Sequence, residues 1–472
     1  MRFLASRAPS AIGLLVVASS ALFVAATEAR STEPRIDYLA ALNAARPPSA
    51  PSERAALLIE EANAAIRALR SAEAQAHPDD SGWIMVFPED REQHPAGYDR
   101  LLAKSEHIVE RAREAASRSR LGVQWGFATP AQTVAETPLF EVLAPHLAEI
   151  QSLRRLLALD ADAALRADEP ERACEDLVAI ARLARLLHKD DPFGISLIVA
   201  NAVLARGNLH VRQMLSAEPE FFTPDHLHRL FEAFSYVFHV RADAELLLFQ
   251  DFAQRVYEPK PDGRITREGY RQIWTLTQGG PPDDEAVVET VMAFFQSPQS
   301  LSYSETIARY RSVWNRLDVV MRQPTLSEDD WREFSSSNLA RPLDDPLSGF
   351  LYIDFTKLIA TYYIARMSTD AMLVVLAAHL WRAEHGAFPQ TLDRLTPTHL
   401  KSVPVDRFTG DPMGYIVEDG RLTVYVAGSD RDDDRGRAPS GDAHQFATVG
   451  ALKSFESMPD GDWILFPVDE GD

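Results

Sequence analysis

Apolar positions recur at helical spacing through most of the first 330 residues. Leu57, Leu58, Ala62, Ile66 and Leu69 fall on one stripe, the period that stacks side chains on one face of an α-helix. The same spacing predicts helices over 98–117, 138–159, 170–188 and 192–215. Thr223-Pro224-Asp225 reads as a helix start: a capping hydroxyl, a proline where no amide is needed and an acid in the first turn. The helix it opens is expected to run to Tyr257, and further helices are predicted over 267–277, 304–321 and 327–334. Residues 77–97, with Pro78, Pro88 and Pro95, read as a loop, and a polar loop with Pro259, Pro261, Gly279, Gly280, Pro281 and Pro282 flanks the short helix 267–277.

The segment SSSNLARPLDDPLSG, 335–349, is turn-rich and broken by two prolines, and beyond it the pattern changes. A long helix from Tyr352 to Glu384 carries Met372, Leu373, Leu376, Leu380 and Trp381, and stops at Gly386, where a left-handed cap suits glycine. A short helix follows, then a hairpin in which Tyr415–Glu418 and Leu422–Val426 flank an Asp419-Gly420 turn. The fold class expected is mainly α, an irregular multi-helix body followed by a small α+β tail in which a long helix packs on a short antiparallel sheet. The division expected is 1–26 signal peptide or membrane anchor, 27–52 linker, 53–334 helical body, 335–349 linker and 350–472 tail.

Two features narrow the chemistry. The formal net charge is −21, which disfavours nucleic acid and anionic lipid, since both require clustered Lys and Arg. Proteins, small ligands or divalent cations remain. At the N-terminus, Arg2 and Arg7 precede the uncharged stretch Ala11–Ala26, and polar Thr27, Glu28 and Arg30 follow. That order predicts an export signal cleaved near Thr27. A helix of such length spans about 24 Å, short of the roughly 30 Å bilayer core, which favours cleavage over a retained anchor. The single cysteine, Cys174, lies within a helical pattern and reads as a small buried hydrophobe.

From Trp381 to Gly436 the chain carries, in order, Gly386-Ala387-Phe388-Pro389, Leu392 and Leu395, Pro404-Val405-Asp406-Arg407-Phe408, Gly410-Asp411-Pro412, Tyr415, Tyr425 and the acidic run Asp430–Asp434. With these residues the stretch resembles the globular part of the type II secretion major pseudopilins. The resemblance covers about an eighth of the chain. It implies a long helix packed on a small sheet, and a calcium site in the acidic loop. The departures are an internal position for the helix and the charges Lys357, Arg366 and Asp370 within it, which do not suit a membrane-spanning pilin helix. Gly349-Phe350 with Asp354 imitates a processing site and reads as coincidence.

Asp430, Asp432 and Asp434 alternate in that loop, and converging carboxylates suit Ca²⁺. Arg431, Arg435 and Arg437 offer neutralisation without metal, so a solvated acidic turn stands beside the calcium reading. Asp262-Gly263-Arg264-Ile265-Thr266 resembles the middle of an EF-hand loop, but Gly269 replaces the closing glutamate and a plain turn is expected. The hairpin 164–192 has the look of one tetratricopeptide-type unit without further copies, and so reads as an ordinary helix pair. His226 and His228 diverge on a helix, and His379 and His385 lack the spacing of a helical zinc pair. The aromatic run Phe231, Phe234, Tyr236 and Phe238 reads as core. No nucleophile elbow, phosphate-binding loop or HExxH is present.

The expectation is therefore a non-enzymatic protein of the periplasm or cell envelope. Its body would bind or scaffold a protein partner, and only the N-terminal segment would touch a membrane. Two alternatives stand beside it: an exported hydrolase with a site in the helical body, and a component of a type II secretion-like apparatus.

Overall fold

Prolines set several helix starts. Pro95, Pro145, Pro170 and Pro224 each occupy the first position of a helix: α3 (Pro95–Ser117), α4 (Pro145–Arg166), α5 (Pro170–Asp190) and α7 (Pro224–Phe234). There the missing amide costs nothing and the fixed φ is already helical. The computed structural model describes residues 36–45, 48–76, 95–126, 139, 144–236, 243–258, 260–278, 282, 285–297, 300–325, 327, 355–427, 431–438 and 461–468. The other described helices are α1 (Tyr38–Ala44), α2 (Ala56–Ala76), α6 (Gly194–Ala217), α8 (Asp243–Val256), α9 (Arg267–Gln278), α10 (Glu285–Phe295), α11 (Tyr303–Arg322) and α12 (Phe355–His385). At α11 the cap is reciprocal, with Ser302 Oγ accepting from the Glu305 amide and Glu305 Oε2 accepting from the Ser302 amide at 2.8 Å.

Two predicted helices need correction and one helix was missed. The helix expected over 138–159 begins seven residues later and runs to Arg166, because Pro145 is tolerated at a helix start and not in its interior. The single helix expected from Pro224 to Tyr257 is two helices: α7 stops at Phe234, and Ser235 leaves the helical region with φ −80° and ψ 30°. Long-range contacts override the local period here. Phe234 is fully buried, close enough to Gly207 of α6 that a Cβ there would come within 3.2 Å of its ring. The Tyr236 hydroxyl lies 2.9 Å from Nδ1 of buried His188. Helix α10 was not predicted at all, although Val288, Met292 and Phe295 form its buried stripe. The helix expected over 327–334 beyond its first residue, the linker 335–349, the processing-site imitation, Phe238 and the N-terminal signal lie outside the described residues.

The tail carries a three-stranded antiparallel sheet of order β1 (Gly414–Glu418), β2 (Arg421–Val426) and β3 (Trp463–Phe466). Glu418 pairs with Arg421 across the Asp419-Gly420 turn, and both turn residues have positive φ (50° and 77°). This is the conformation that an Asp-Gly hairpin favours. Gly386 has φ 79° and caps α12 by donating to the Arg382 carbonyl at 2.8 Å, as its position predicts. Strand β3 is a further element that the sequence pattern did not reveal.

Helices α4, α5 and α6 pack in succession, α12 lies on α6 and α7, and β2 and β3 of the sheet pack on α12. One continuous hydrophobic core runs from Ala55 and Ile59 of the body through Leu204, Met372 and Leu376 to Val424 and Phe466 of the sheet. A smaller cluster of Tyr38, Leu42, Trp125, Leu139, Phe193 and Ala244 lies beneath α1. Helix α6 and the part of α12 from Tyr362 to His385 are long and apolar enough to cross a membrane, but 72% of each apolar window is buried inside the protein.

Candidate functional site

The acidic loop leaves β2 and returns to β3, and a residue outside the predicted trio organises it. Asp462, fully buried just before β3, accepts hydrogen bonds from the amides of Gly436 at 2.6 Å and Asp434 at 3.3 Å. Its own amide donates to the Arg437 carbonyl at 2.8 Å. Burial raises the Asp462 carboxyl pKa, the Gly436 and Asp434 amides oppose the shift, and the neighbouring Asp433 and Asp434 charges add to it. Asp433 Oδ1 accepts from the Tyr425 hydroxyl at 3.0 Å and from the Arg435 amide at 2.8 Å. The loop takes left-handed conformations at Arg431, Arg435 and Gly436, with φ 65°, 60° and 76°.

Of the predicted ligands, Asp430 lies outside the described residues, Asp432 is exposed and Asp434 is half-buried. Asp434 Oδ1 is paired with Arg437, while its Oδ2 is buried without a hydrogen-bond partner. Among the described residues, no three His, Cys, Asp or Glu side chains form a metal-holding group. The one observation that bears on a cation here is the buried Asp434 Oδ2, which has no hydrogen-bond partner. Asp462 could have been suspected only from its place before the Trp463–Phe466 apolar run.

The turn before the hairpin is built on one carboxylate. Asp406 is buried; its Oδ1 accepts from the Phe408 amide at 2.8 Å and its Oδ2 from the Ala427 amide at 2.7 Å. Arg407 donates to Asp370 of α12 at 2.7 Å and to the Pro324 carbonyl at 2.9 Å. The Tyr415 hydroxyl donates to the Pro389 carbonyl at 2.9 Å. These residues bind helix, turn and strand into one piece.

That piece is fastened to the body through α6. Arg212, only 1% exposed, donates to the Leu465 carbonyl of β3, to Ser368 Oγ of α12 at 3.3 Å and to the Asn208 carbonyl at 3.4 Å. Asn208 Nδ2 donates to Thr369 Oγ1 at 3.0 Å, and the Val468 amide donates to Ser216 Oγ at 3.0 Å. Burial lowers the Arg212 pKa to about 10, which leaves it charged at neutral pH. An arginine buried among neutral acceptors is expensive to desolvate, so its bonds to two elements of the tail are the compensation.

The remaining candidates have structural partners. His226 Nε2 sits 3.0 Å from Glu171 Oε2, and Cys174 Sγ points at the His226 carbonyl at 3.8 Å. Burial pushes the Cys174 thiol up to about 12. His379 is wedged against Phe388 and Phe466, and burial lowers its pKa to about 4, whereas His385 stacks on Trp381. The Asp262–Thr266 segment is a tight turn in which Gly263 donates to the Lys260 carbonyl at 2.8 Å and Tyr257 pairs with Ile265.

No protein-family model, curated protein or solved structure matches the chain.

Proposed function

We propose that the chain is an exported, non-enzymatic protein of the bacterial envelope, whose helical body scaffolds or binds a protein partner. Its tail is a pseudopilin-like module used as a fixed packing element and stabilised by Ca²⁺ at Asp430, Asp432 and Asp434. The observation that carries this reading is the Arg212 tether, which fastens β3 and α12 to the body helix α6. A subunit that polymerises through its long helix needs that helix free, and here α12 is built into the body's core. The Asp406 turn, the Asp-Gly hairpin and the Tyr415 brace support the pseudopilin likeness.

Cell fractionation with N-terminal sequencing tests export. The mature chain is expected to start near Thr27 and to lie outside the cytoplasm, and an intact Met1 in a soluble cytoplasmic pool overturns the reading. Affinity capture of the exported chain tests the scaffold role: one stoichiometric protein partner is expected. Turnover of a hydrolase substrate by the purified chain favours the enzyme alternative.

A further inference from the structure

Beneath α1 lies a buried group of ionisable side chains that the reading above does not use. His146 at the start of α4 and Asp191 at the end of α5 are 2.6 Å apart, Nε2 to Oδ2, with side chains 4% and 0% exposed. His146 Nδ1 is buried without a hydrogen-bond partner. Asp191 Oδ1 accepts from the Phe193 amide at 3.3 Å. On α8, Glu245, 5% exposed, accepts from the amide of Gly194, the first residue of α6, at 2.6 Å. A carboxyl from one helix thus caps the start of another, next to a second carboxylate.

Over this group lies a thin cover. The Trp125 ring meets His146 edge-on at 5.2 Å and Phe193 at 4.7 Å, between centroids. Asn43 of α1 clasps the Trp125 backbone from both sides: its Nδ2 donates to the carbonyl at 3.1 Å and its Oδ1 accepts from the amide at 3.0 Å. Before α1, Ile36 and Gln254 of α8 exchange two hydrogen bonds, at 3.0 and 3.1 Å. The other ionisable groups around the site are accounted for. Tyr310 of α11 feels the Glu245 charge, Tyr38 of α1 is hydrogen-bonded to Tyr303 of α11, and Asp251 is paired with Arg255 at 3.0 Å. Asp190 is paired with Arg120 at 3.2 Å and accepts from the Leu121 amide at 2.6 Å.

We propose that Glu245, Asp191 and His146 form a proton-operated latch beneath α1: the cover of α1 and Trp125 is closed while Glu245 is protonated and loosens when Glu245 ionises. Asp191 already has His146 as its partner, so an ionised Glu245 adds a second buried negative charge next to the first, held only by the Gly194 amide. Burial first, and then the Asp191 charge, raise the Glu245 pKa from 4.5 to about 7, while the Gly194 amide opposes the rise. The transition therefore falls near neutrality. Loosening would uncover the apolar cluster of Tyr38, Leu42, Trp125 and Phe193. The latch does not depend on the export reading.

The test is a pH titration of the full chain from about pH 5.5 to 8.5, following the fluorescence lost in Trp125→Phe and the intrinsic-rate-corrected amide protection of Tyr38–Ala44. The wild type is expected to show a sigmoidal change in both signals near neutral pH. Glu245→Gln, which keeps an acceptor for the Gly194 amide, is expected to stay closed throughout. Asp191→Asn is expected to move the midpoint to lower pH by about half a unit or more, because it removes the like charge. A flat wild-type titration, or an unaltered transition in Glu245→Gln, overturns the latch. If Glu245→Gln does not fold, the Asp191→Asn midpoint decides, and a midpoint that does not move overturns it.

Discussion

The body and the tail weight buried polar contacts differently. In the body, ionisable side chains meet one another across helices. Arg113 of α3 bonds Asp176 of α5 at 2.8 Å and Asp160 of α4 at 3.3 Å, His188 bridges Asn201 and Tyr236, and His146 pairs with Asp191. In the tail, single side chains satisfy backbone: Asp406 holds the Phe408 amide and the Ala427 amide 21 residues on, Asp462 holds amides 26 and 28 residues back, and Tyr415 holds a carbonyl 26 residues back. The difference shows how each half specifies its shape. In the tail single side chains tie separate turns and strands to one another through backbone groups, whereas the body's network selects among ways of packing helices that amphipathic patterning alone leaves open.

The comparison can be broken most strongly at Asp406. Asp406→Ala leaves the buried Phe408 and Ala427 amides without acceptors, and at about 1–3 kcal/mol each the loss is about 4 kcal/mol. Denaturant unfolding of the full chain measures it; a loss under about 1 kcal/mol would mean that the turn is held by packing instead.

Next comes the tether. Arg212→Ala is expected to cost about 3 kcal/mol, as the Leu465 carbonyl and the side-chain space are both left empty. Arg212→Met fills the space without burying a charge and is expected to recover at least half of that loss. Equal losses in the two variants would assign the effect to the hydrogen bonds rather than to packing and charge burial.

Glu245 sharpens the contrast through pH. Its folded pKa is raised, so the folded state holds the proton more tightly than the unfolded chain does. That contribution is complete below the ordinary 4.5 and is lost as pH rises through about 7. Glu245→Gln is therefore expected to flatten the fall in stability between these values, by roughly 3 kcal/mol at pH 8, as read by chemical denaturation at several pH values. An unchanged pH profile would mean that Glu245 is solvated in the folded protein.

The smallest effect belongs to the acidic loop. Millimolar Ca²⁺ is expected to raise the melting temperature only modestly, since weak extracellular-type sites have Kd of about 10⁻⁴ to 10⁻³ M and contribute about 1 kcal/mol at such concentrations. Asp432→Asn with Asp434→Asn should remove the response. Identical melting curves with calcium and with chelator would leave the loop held by Asp462 and Arg437 alone.

What was legible follows the same division. The Asp419-Gly420 hairpin and the Gly386 cap could be read because each depends on residues adjacent in sequence. The continuation of α7 was misread because what ends it, the seat of Phe234 against Gly207 and the bond of Tyr236 to His188, comes from helices far away in sequence. Strand β3 is only four residues long and pairs with β2 across 36 intervening residues, so no local turn announced it. The acidic loop was visible as a charge cluster, but its organiser, Asp462, was not, because its partners lie 26 and 28 residues away. Arg212 gave no signal either, since an arginine in an otherwise apolar helix reads equally as an exposed residue and as a tether.

The central claim is that the tail is part of the body's core and not a separate module. Native-state hydrogen exchange on the full chain tests it most directly, by comparing amides of β1 and β2 with those of α5 and α6 as denaturant is raised. The account predicts that both sets merge into one global unfolding isotherm in the wild type, and that Arg212→Ala separates them, with the strand amides opening first. Strand amides that open in a distinct, lower-energy unit in the wild type, with α5 and α6 still protected, would contradict it.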